Sequence, residues 1–137
     1  MGLLLPFQPA DIVKDPKYPG SLYDWIFKRL AKPLCRPWPS ASLEARQAAQ
    51  RSIMMIYIMY CQWAGCWGPV DPHVLVKFAS QRKEYIDFNL PIEIDSYTAY
   101  TGLDTLTKNK YMELFGTDAY IISQRGLQMI QEHLPWS

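Results

Sequence analysis

Cysteine and histidine are scarce in this sequence, and their positions do not form a metal-binding pattern. The three cysteines and two histidines are Cys35, Cys61, Cys66, His73 and His133. A structural zinc site needs four ligands in closely spaced pairs, and these five residues offer no such pairs. An odd number of cysteines without regular spacing also argues against a disulfide framework. We therefore expect reduced, intracellular thiols that pack as small apolar side chains, and no metal or cofactor.

Catalytic motifs are also missing. The chain contains no glycine loop of the form GxxxxGK[ST] or GxGxxG, no GxSxG serine-hydrolase turn and no HExxH metalloprotease helix. Glu93 and Asp95 lie two residues apart, which is more typical of a solvated pair than of an acid and base couple. Arg36 beside Cys35 can lower a thiol pKa, but no histidine is tied to that cysteine by spacing. The sequence therefore predicts a protein that is not an enzyme.

The start of the chain, MGLLLPFQP, lacks the basic segment and the long apolar run of a secretory signal. Pro6 stands where a myristoylation motif needs Ser or Thr. Four prolines within residues 1–20 predict an extended arm, because each fixes its own φ and restricts the residue before it. The arm is too apolar for a free linker, so we expect it to lie against its own core or another subunit. The expected location is the cytoplasm, or a virion or host cytoplasm if the protein is viral.

Charged residues are absent from residues 52–70. Within this window Ile53–Tyr60 is apolar on every side of a helix, which indicates surroundings of protein or lipid. Exposing about four of these side chains would forfeit on the order of 6 to 12 kcal/mol, whereas a whole domain is stable by only roughly 5 to 15 kcal/mol. A bilayer span needs about 20 strongly apolar residues, and the window approaches that length only by including Gln62, Gly65 and Pro69. A membrane partner is therefore not expected.

We expect this segment to be the second half of a long central helix. Its first half has a small-residue face, which suits close helix packing, and an outward polar face. The small residues are Ala45, Ala48, Ala49 and Ser52, and the outward residues are Arg46, Gln47, Gln50 and Arg51. A domain of this size can hardly bury a long helix on all sides. We therefore expect part of the methionine-rich side, formed by Met54, Met55 and Met59, to meet a partner.

Capping residues and apolar spacing predict a mainly α fold, a compact bundle of five to six helices around the long central helix. The bundle is expected to be a single domain over residues 21–137 that follows the extended proline-rich N-terminal arm. Residues 91–101 fit either a short strand or a further helix, and we favour the helix. Gly126 is expected to weaken the last helix by roughly 1 kcal/mol relative to alanine. The first predicted helix covers 21–32, and the long central one runs from Ser40 or Ser42 to Gly65 or Gly68. The next covers 71–88, with Asp71 as N-cap and Pro72 at its start. The last two cover 105–116, with Asp104 or Thr105 as N-cap, and 117–134, with Thr117 or Asp118 as N-cap.

The overall charge offers no strong field for nucleic acid or for an anionic lipid surface, since the net charge is +1 and the pI about 7.7. The charges are nevertheless unevenly divided. Residues 1–51 carry eight basic against four acidic side chains, a net +4, and residues 71–137 carry six against nine, a net −3. Such a dipole can orient a partner or a neighbouring copy.

We expect a non-enzymatic structural or adaptor protein that works by protein–protein contact as a subunit of a larger assembly. A viral or phage assembly is one example of such a setting. A protein partner or self-association is expected, through exposed aromatic and apolar anchors. The candidate contact residues are Leu4, Phe7, Trp25, Trp38, Met55, Met59, Trp67 and Trp136.

Two alternative functions remain open from the sequence. A DNA-binding helical module would contact phosphates through basic side chains on its helices. Its candidate residues are Arg46, Arg51, Arg82, Lys83, Lys108 and Lys110. The second alternative is a membrane-associated subunit, in which the charge-free window would contact lipid.

Overall fold

The computed structural model describes residues 8, 9, 43–82 and 94–133, and these residues form a mainly helical fold with one β-hairpin. The elements are α1 (Leu43–Ala64), α2 (Pro72–Gln81), α3 (Ser96–Lys108), β1 (Met112–Phe115), β2 (Ala119–Ile122) and α4 (Gln124–His133). Four helices therefore stand in the described part of the chain, where five to six were predicted for the whole. The predicted helix at 21–32, most of the arm and the arm–domain boundary at residue 20 lie outside the described residues.

The long central helix is confirmed as α1. It ends before Gly65, whose positive φ of 88° is a conformation that glycine adopts without steric cost. The Gly65 N–H donates to the carbonyl oxygen of Cys61 at 2.8 Å, which satisfies one of the last helical carbonyls. α1 packs mainly along α3, and α2 contacts both helices.

The apolar half of α1 is covered by the protein itself. Met54, Met55 and Met59 are only 0%, 6% and 4% exposed, and Ile53, Ile56 and Ile58 are fully buried. The prediction that the methionine-rich side stays open for a partner is therefore wrong. The argument from domain size failed because the elements next to a helix are enough to cover it. The fold surrounds α1 and leaves other apolar side chains exposed.

The first half of α1 also differs from its predicted outward face. Arg46 and Gln50 are fully buried, and Arg51 is half-buried. The Gln50 side-chain oxygen accepts a hydrogen bond from the Asn109 side-chain amide at 3.0 Å, just beyond the end of α3. Gln50 thus lies inside the fold, where this hydrogen bond compensates for its lost hydration.

α2 begins as predicted. The Asp71 side chain accepts from the Val74 N–H at 2.9 Å, and Pro72 occupies the first helical position, where no N–H is needed. Leu75, Phe78 and Ala79 form the buried face of this helix. The described part of α2 ends at Gln81 with Arg82 as C-cap, so the predicted extension to residue 88 lies outside the described residues.

The ambiguous segment before α3 is helical from Ser96 onward, as favoured. Asp95 is the N-cap, and its carboxylate accepts from the Thr98 N–H at 2.8 Å. The helix then continues to Lys108 without interruption. A separate helix with Asp104 or Thr105 as N-cap is therefore wrong, because both residues lie inside α3.

A β-hairpin replaces the ends of the two helices predicted over 105–116 and 117–134. β1 and β2 are antiparallel, with Met112 opposite Ile122 and Phe115 opposite Ala119. Gly116, which was predicted to stop a helix, instead has a φ of 74° in the turn. Val70 extends this small sheet, because its N–H donates to the Tyr120 carbonyl oxygen at 2.9 Å and its carbonyl oxygen accepts from the Tyr120 N–H at 2.8 Å.

α4 begins at Gln124, seven residues after Thr117 and six after Asp118, and these two predicted caps lie in the hairpin turn. Its start is supported by Ser123, whose hydroxyl accepts from the Gly126 N–H at 3.1 Å and donates to the Lys110 carbonyl oxygen at 2.5 Å. Leu127 and Ile130 are buried, as their helical spacing predicted.

Removing the Asp95 cap is expected to lower the free energy of unfolding by about 1 kcal/mol. Hydrogen bonds from Thr98 hold the pKa of the Asp95 carboxyl below its ordinary value. The stabilisation is therefore present above the unfolded-state pKa, about 4, and is lost as the pH falls through the lower folded-state pKa. Urea unfolding of Asp95→Ala and Asp95→Asn, each at neutral and strongly acidic pH, measures both effects.

The asparagine variant is the matched control, because it keeps a cap acceptor but cannot titrate. Its stability should be near that of the original protein at neutral pH and should lack this part of the acid dependence. An unchanged acid dependence in Asp95→Asn would contradict the assignment.

Candidate protein-contact surface

An aromatic cluster lies where the end of α1 meets the end of α2. Tyr60 and Trp63 are one turn apart on α1, and Phe78 is on the buried face of α2. The Tyr60 and Phe78 rings meet edge to face at a centroid distance of 5.5 Å, and Trp63 lies 5.9 Å from Tyr60 and 6.0 Å from Phe78. These distances are those of favourable aromatic pairs, which are worth roughly 0.5 to 1.5 kcal/mol beyond their buried area.

The guanidinium of Arg82 stacks on this cluster. Its central carbon lies 4.6 Å from the Trp63 ring centroid and 4.4 Å from that of Phe78. Both distances are within the range of cation–π attraction. Arg82 is the C-cap of α2 and follows Phe78 by four residues, so the last turn of the helix brings the two side chains close together. Tyr60, Trp63, Phe78 and Arg82 are called the aromatic–arginine surface below.

The members of this surface differ in exposure. Phe78 is buried, Tyr60 and Arg82 are partly buried, and Trp63 is 63% exposed. Trp63 therefore presents a large apolar ring to solvent while its neighbours restrict its motion. Within the described part of the chain, the guanidinium of Arg82 has no hydrogen-bond acceptor and no carboxylate partner.

Other large apolar side chains are exposed on α3 and on the hairpin. Tyr97 and Tyr100 lie on α3, and the Tyr100 ring meets the His73 ring edge to face at 6.2 Å. Leu114 and Phe115 end β1 beside the hairpin turn. These residues lack the fixed cation that distinguishes the aromatic–arginine surface.

The contact residues predicted from the sequence are mostly not at this surface. Met55, Met59 and Trp67 are buried, so their predicted exposure is wrong. Trp67 instead stacks on Tyr57 at a centroid distance of 6.2 Å, because the chain after Gly65 folds back over α1. The other five candidates, Leu4, Phe7, Trp25, Trp38 and Trp136, lie outside the described residues.

The arm touches the core at one described point. Pro9 is buried, and its carbonyl oxygen accepts from the Gln62 side-chain amide at 3.5 Å. Gln62 precedes Trp63 on α1, so this part of the arm lies against its own chain next to the aromatic–arginine surface. The alternative in which the arm packs only on another subunit does not hold for Pro9.

The predicted nucleic-acid residues do not converge on one face suited to phosphate. Arg46 is inaccessible, so its prediction as a surface cation is wrong. Lys108 forms an ion pair with Asp104 at 3.5 Å on α3, Lys110 is exposed beyond that helix, and Arg82 stacks on rings. The other two candidates are Arg51, which is half-buried on α1, and Lys83, which is outside the described residues.

Two titratable groups of the core, the Cys61 thiol and the Tyr57 hydroxyl, are kept neutral by burial. Burial raises the pKa of the Cys61 thiol to about 11 and raises the pKa of the Tyr57 hydroxyl well above its ordinary value. A thiol acts as a nucleophile only as the thiolate, so Cys61 is unreactive at neutral pH. Burial also raises the pKa of Asp104, against the opposing charges of Lys108 and Arg46. Within residues 43–82 and 94–133 no cluster of three or more metal-ligating side chains occurs.

A surface cavity of about 420 Å³ lies between the hairpin and α4. Arg125 stacks over the Tyr111 ring at 4.8 Å, and its guanidinium lies 3.5 Å from the Tyr111 hydroxyl. Gln128, Met129 and Glu132 complete the lining. The lining offers opposite charges but no nucleophile with an adjacent base, so it does not indicate a reaction.

Trp63 was missed in the sequence because its place in the charge-free window favoured a buried position. The available signal was its location two residues before Gly65, in the last turn of a helix, together with the spacing of Phe78 and Arg82. Arg82 was identified, but as a residue that contacts phosphate.

Comparisons with protein-family models, with curated proteins and with solved structures found no match to this chain. Among the helices that the structure describes, none has the length and apolar character needed to cross a membrane. The functional interpretation therefore depends on the geometry of the surface.

Proposed function

We propose that the protein is a non-enzymatic structural or adaptor subunit that binds another protein chain through the aromatic–arginine surface. The exposed ring of Trp63, fixed beside Arg82, supports this proposal most strongly. Tryptophan, tyrosine and arginine are the residue types enriched at the energetic centres of protein interfaces. Removing the exposed part of the Trp63 ring from water is worth roughly 1.5 to 3 kcal/mol, and the entropy lost on association offsets part of this gain.

The shape of the surface also favours a protein partner. Its rings are already packed against one another, so binding would cost little side-chain conformational entropy. It lies on two helix ends that are fixed by the buried core of α1 and α2. A surface that is rigid, apolar and edged by one cation is typical of an interface anchor rather than of a catalytic cleft.

Site-specific photo-cross-linking in cells that naturally produce the protein tests the proposal. Trp63 is replaced by p-benzoylphenylalanine, and the adducts formed on irradiation are identified by mass spectrometry. The matched control carries the same photoreactive residue in place of Gln128, which is exposed on α4 and outside the aromatic–arginine surface. We expect one discrete protein adduct from position 63, to a second copy or to another protein, and none of that identity from position 128.

No adduct from position 63, or the same set of adducts from both positions, would exclude this surface as the functional contact. Light scattering on the purified full-length chain then distinguishes the two kinds of partner. A mass above that of one chain supports self-association, and a single-chain mass supports contact with a different protein.

A further inference from the structure

The aromatic–arginine surface carries positive charge that the described helices do not neutralise. From Pro72 to Gln81, α2 contains no aspartate or glutamate, and its exposed side includes Lys77. The last turns of α1 contain no charged residue. Arg82 itself has no carboxylate partner within residues 43–82 and 94–133. Among the described residues, no carboxylate therefore competes with a partner for its charge.

The guanidinium is also held in a defined position. Contacts with two rings restrict its motion, so less conformational entropy is lost when its N–H groups form hydrogen bonds. A planar guanidinium binds a carboxylate through two parallel N–H···O bonds, which are stronger than neutral hydrogen bonds. Next to it, Trp63 offers an apolar ring that a neighbouring side chain of the same partner can cover.

We propose that the aromatic–arginine surface recognises an acidic segment of a partner protein, in which a carboxylate binds Arg82 and an adjacent apolar side chain packs on Trp63. This inference depends on the proposed function and adds to it the chemistry of the partner. Complementary charge gives specificity and faster association, and the apolar contact gives much of the affinity.

Nucleic acid is the less suitable partner for the same cation. Binding of a phosphate backbone requires several basic residues along one face. In the described residues the cations are dispersed, because Arg46 is buried and Lys108 is paired with Asp104. A single clamped guanidinium beside an exposed tryptophan matches one carboxylate and one apolar side chain better than a line of phosphates.

Fluorescence anisotropy with labelled probes and the full-length chain tests this inference. The probes are a nine-residue peptide of glutamates around a central leucine, the same peptide with glutamines, and a short DNA duplex. The protein variants are Arg82→Gln, Arg82→Lys and Lys77→Gln. The last is the matched control, because it removes the same charge from an exposed position on the same helix but leaves the rings and Arg82 unchanged.

We expect the glutamate peptide to bind at least about tenfold more tightly than the glutamine peptide and than the duplex. Arg82→Gln and Arg82→Lys should each weaken binding of the glutamate peptide by about tenfold, because lysine keeps the charge but lacks the planar fork. Lys77→Gln should weaken it by less than about threefold, as expected for a rim charge. Thermal unfolding of each variant confirms that it is folded.

Four results would overturn the inference: no binding of the glutamate peptide, equal binding of the glutamine peptide, full binding by Arg82→Lys, or tighter Arg82-dependent binding of the duplex. These failures are distinct from failure of the proposed function. A discrete cross-link from position 63 without binding of the glutamate peptide leaves the protein contact in place and removes only the acidic partner. Absence of that cross-link removes the contact itself.

Discussion

Replacement of Gly102 by alanine is expected to lower the free energy of unfolding by about 2 to 3 kcal/mol. The expectation is opposite to the usual one, since alanine in a helix is normally favoured over glycine by roughly 1 kcal/mol. A Cβ at Gly102 would lie 2.7 Å from the carbonyl oxygen of Ala49 and 2.7 Å from the Ile53 Cβ, and closer still to the Ile53 Cγ1. The Ala49 oxygen belongs to the backbone of α1 and cannot rotate away, so α1 and α3 would have to separate.

Urea unfolding of Gly102→Ala, Ile53→Ala and the double variant measures this effect. Ile53→Ala removes the collision with the Ile53 Cγ1 but keeps those with the Ile53 Cβ and the Ala49 oxygen, so the cost of Gly102→Ala should be smaller in that background without vanishing. The difference between the two costs is the coupling between the sites. A Gly102→Ala protein that is as stable as the original, or more stable, would contradict the close packing of α1 on α3.

Replacement of Tyr57 by phenylalanine is expected to lower the free energy of unfolding by roughly 2 to 4 kcal/mol, because two buried partners would each lose a hydrogen bond. The Tyr57 hydroxyl donates to the carbonyl oxygen of Gly68 at 2.9 Å and accepts from the N–H of Ile122 at 3.3 Å. It thereby connects α1 to the loop that follows it and to the last residue of β2. Phenylalanine fills nearly the same volume, so the loss reports on hydrogen bonding rather than on packing.

Tyr97→Phe is the matched control for this substitution. The Tyr97 side chain is 58% exposed, so water replaces the hydrogen bonds of its hydroxyl and the change should be within about 0.5 kcal/mol. Equal effects of Tyr57→Phe and Tyr97→Phe in urea unfolding would show that the buried bridge contributes nothing. Amide hydrogen exchange of Ile122 should accelerate only in Tyr57→Phe.

The same core predicts a loss of stability at alkaline pH. Cys61 and Tyr57 have raised pKa values when folded, so the unfolded chain releases their protons at a lower pH than the folded protein does. Their contribution is fully present below the unfolded-state values, and it declines as the pH rises above the ordinary pKa of a thiol, about 8.5. Tyr57→Phe should lack the part of this decline that begins near the ordinary pKa of tyrosine, about 10.

Two helix boundaries were predicted correctly from local signals, although the predicted N-caps Asp104 or Thr105 and Thr117 or Asp118 were wrong. Asp71 followed by Pro72 specified the start of α2, and Gly65 specified the end of α1. These signals are local, because a capping side chain or a positive φ satisfies backbone groups within a few residues. The small-residue face of α1 was also informative, since the Ala49 carbonyl oxygen would lie only 2.7 Å from a Cβ at Gly102.

The hairpin could not be predicted in this way. The sequence from residue 105 to 134 has apolar spacing compatible with helices. In the sequence, Gly116 fits the end of a helix as well as it fits a hairpin turn. Its strand conformation depends on Val70, which pairs with Tyr120 from fifty positions earlier in the chain. Such long-range pairing leaves no local pattern, and tertiary contacts override local propensity.

Gly126 is a single residue whose role in the fold could likewise not be predicted from the sequence. The sequence predicted that it weakens its helix, whereas in the fold a Cβ would collide with the Tyr111 carbonyl oxygen and lie 2.7 Å from the Ile122 Cγ1. The glycine therefore permits α4 to approach the hairpin closely. Only the position of the neighbouring backbone shows this role.

The sequence by itself determined that the charge-free segment must be kept from water, and it predicted the end of α1, at Gly65 or Gly68, and the start of α2, at Asp71 and Pro72. The reason is that apolar area and helix caps act over short distances and depend on residue type alone. Only the tertiary structure decided which apolar residues remain outside. It buried Met55, Met59 and Trp67 and left Trp63 exposed beside Arg82, because exposure depends on where α2 crosses α1 and not on the residue itself.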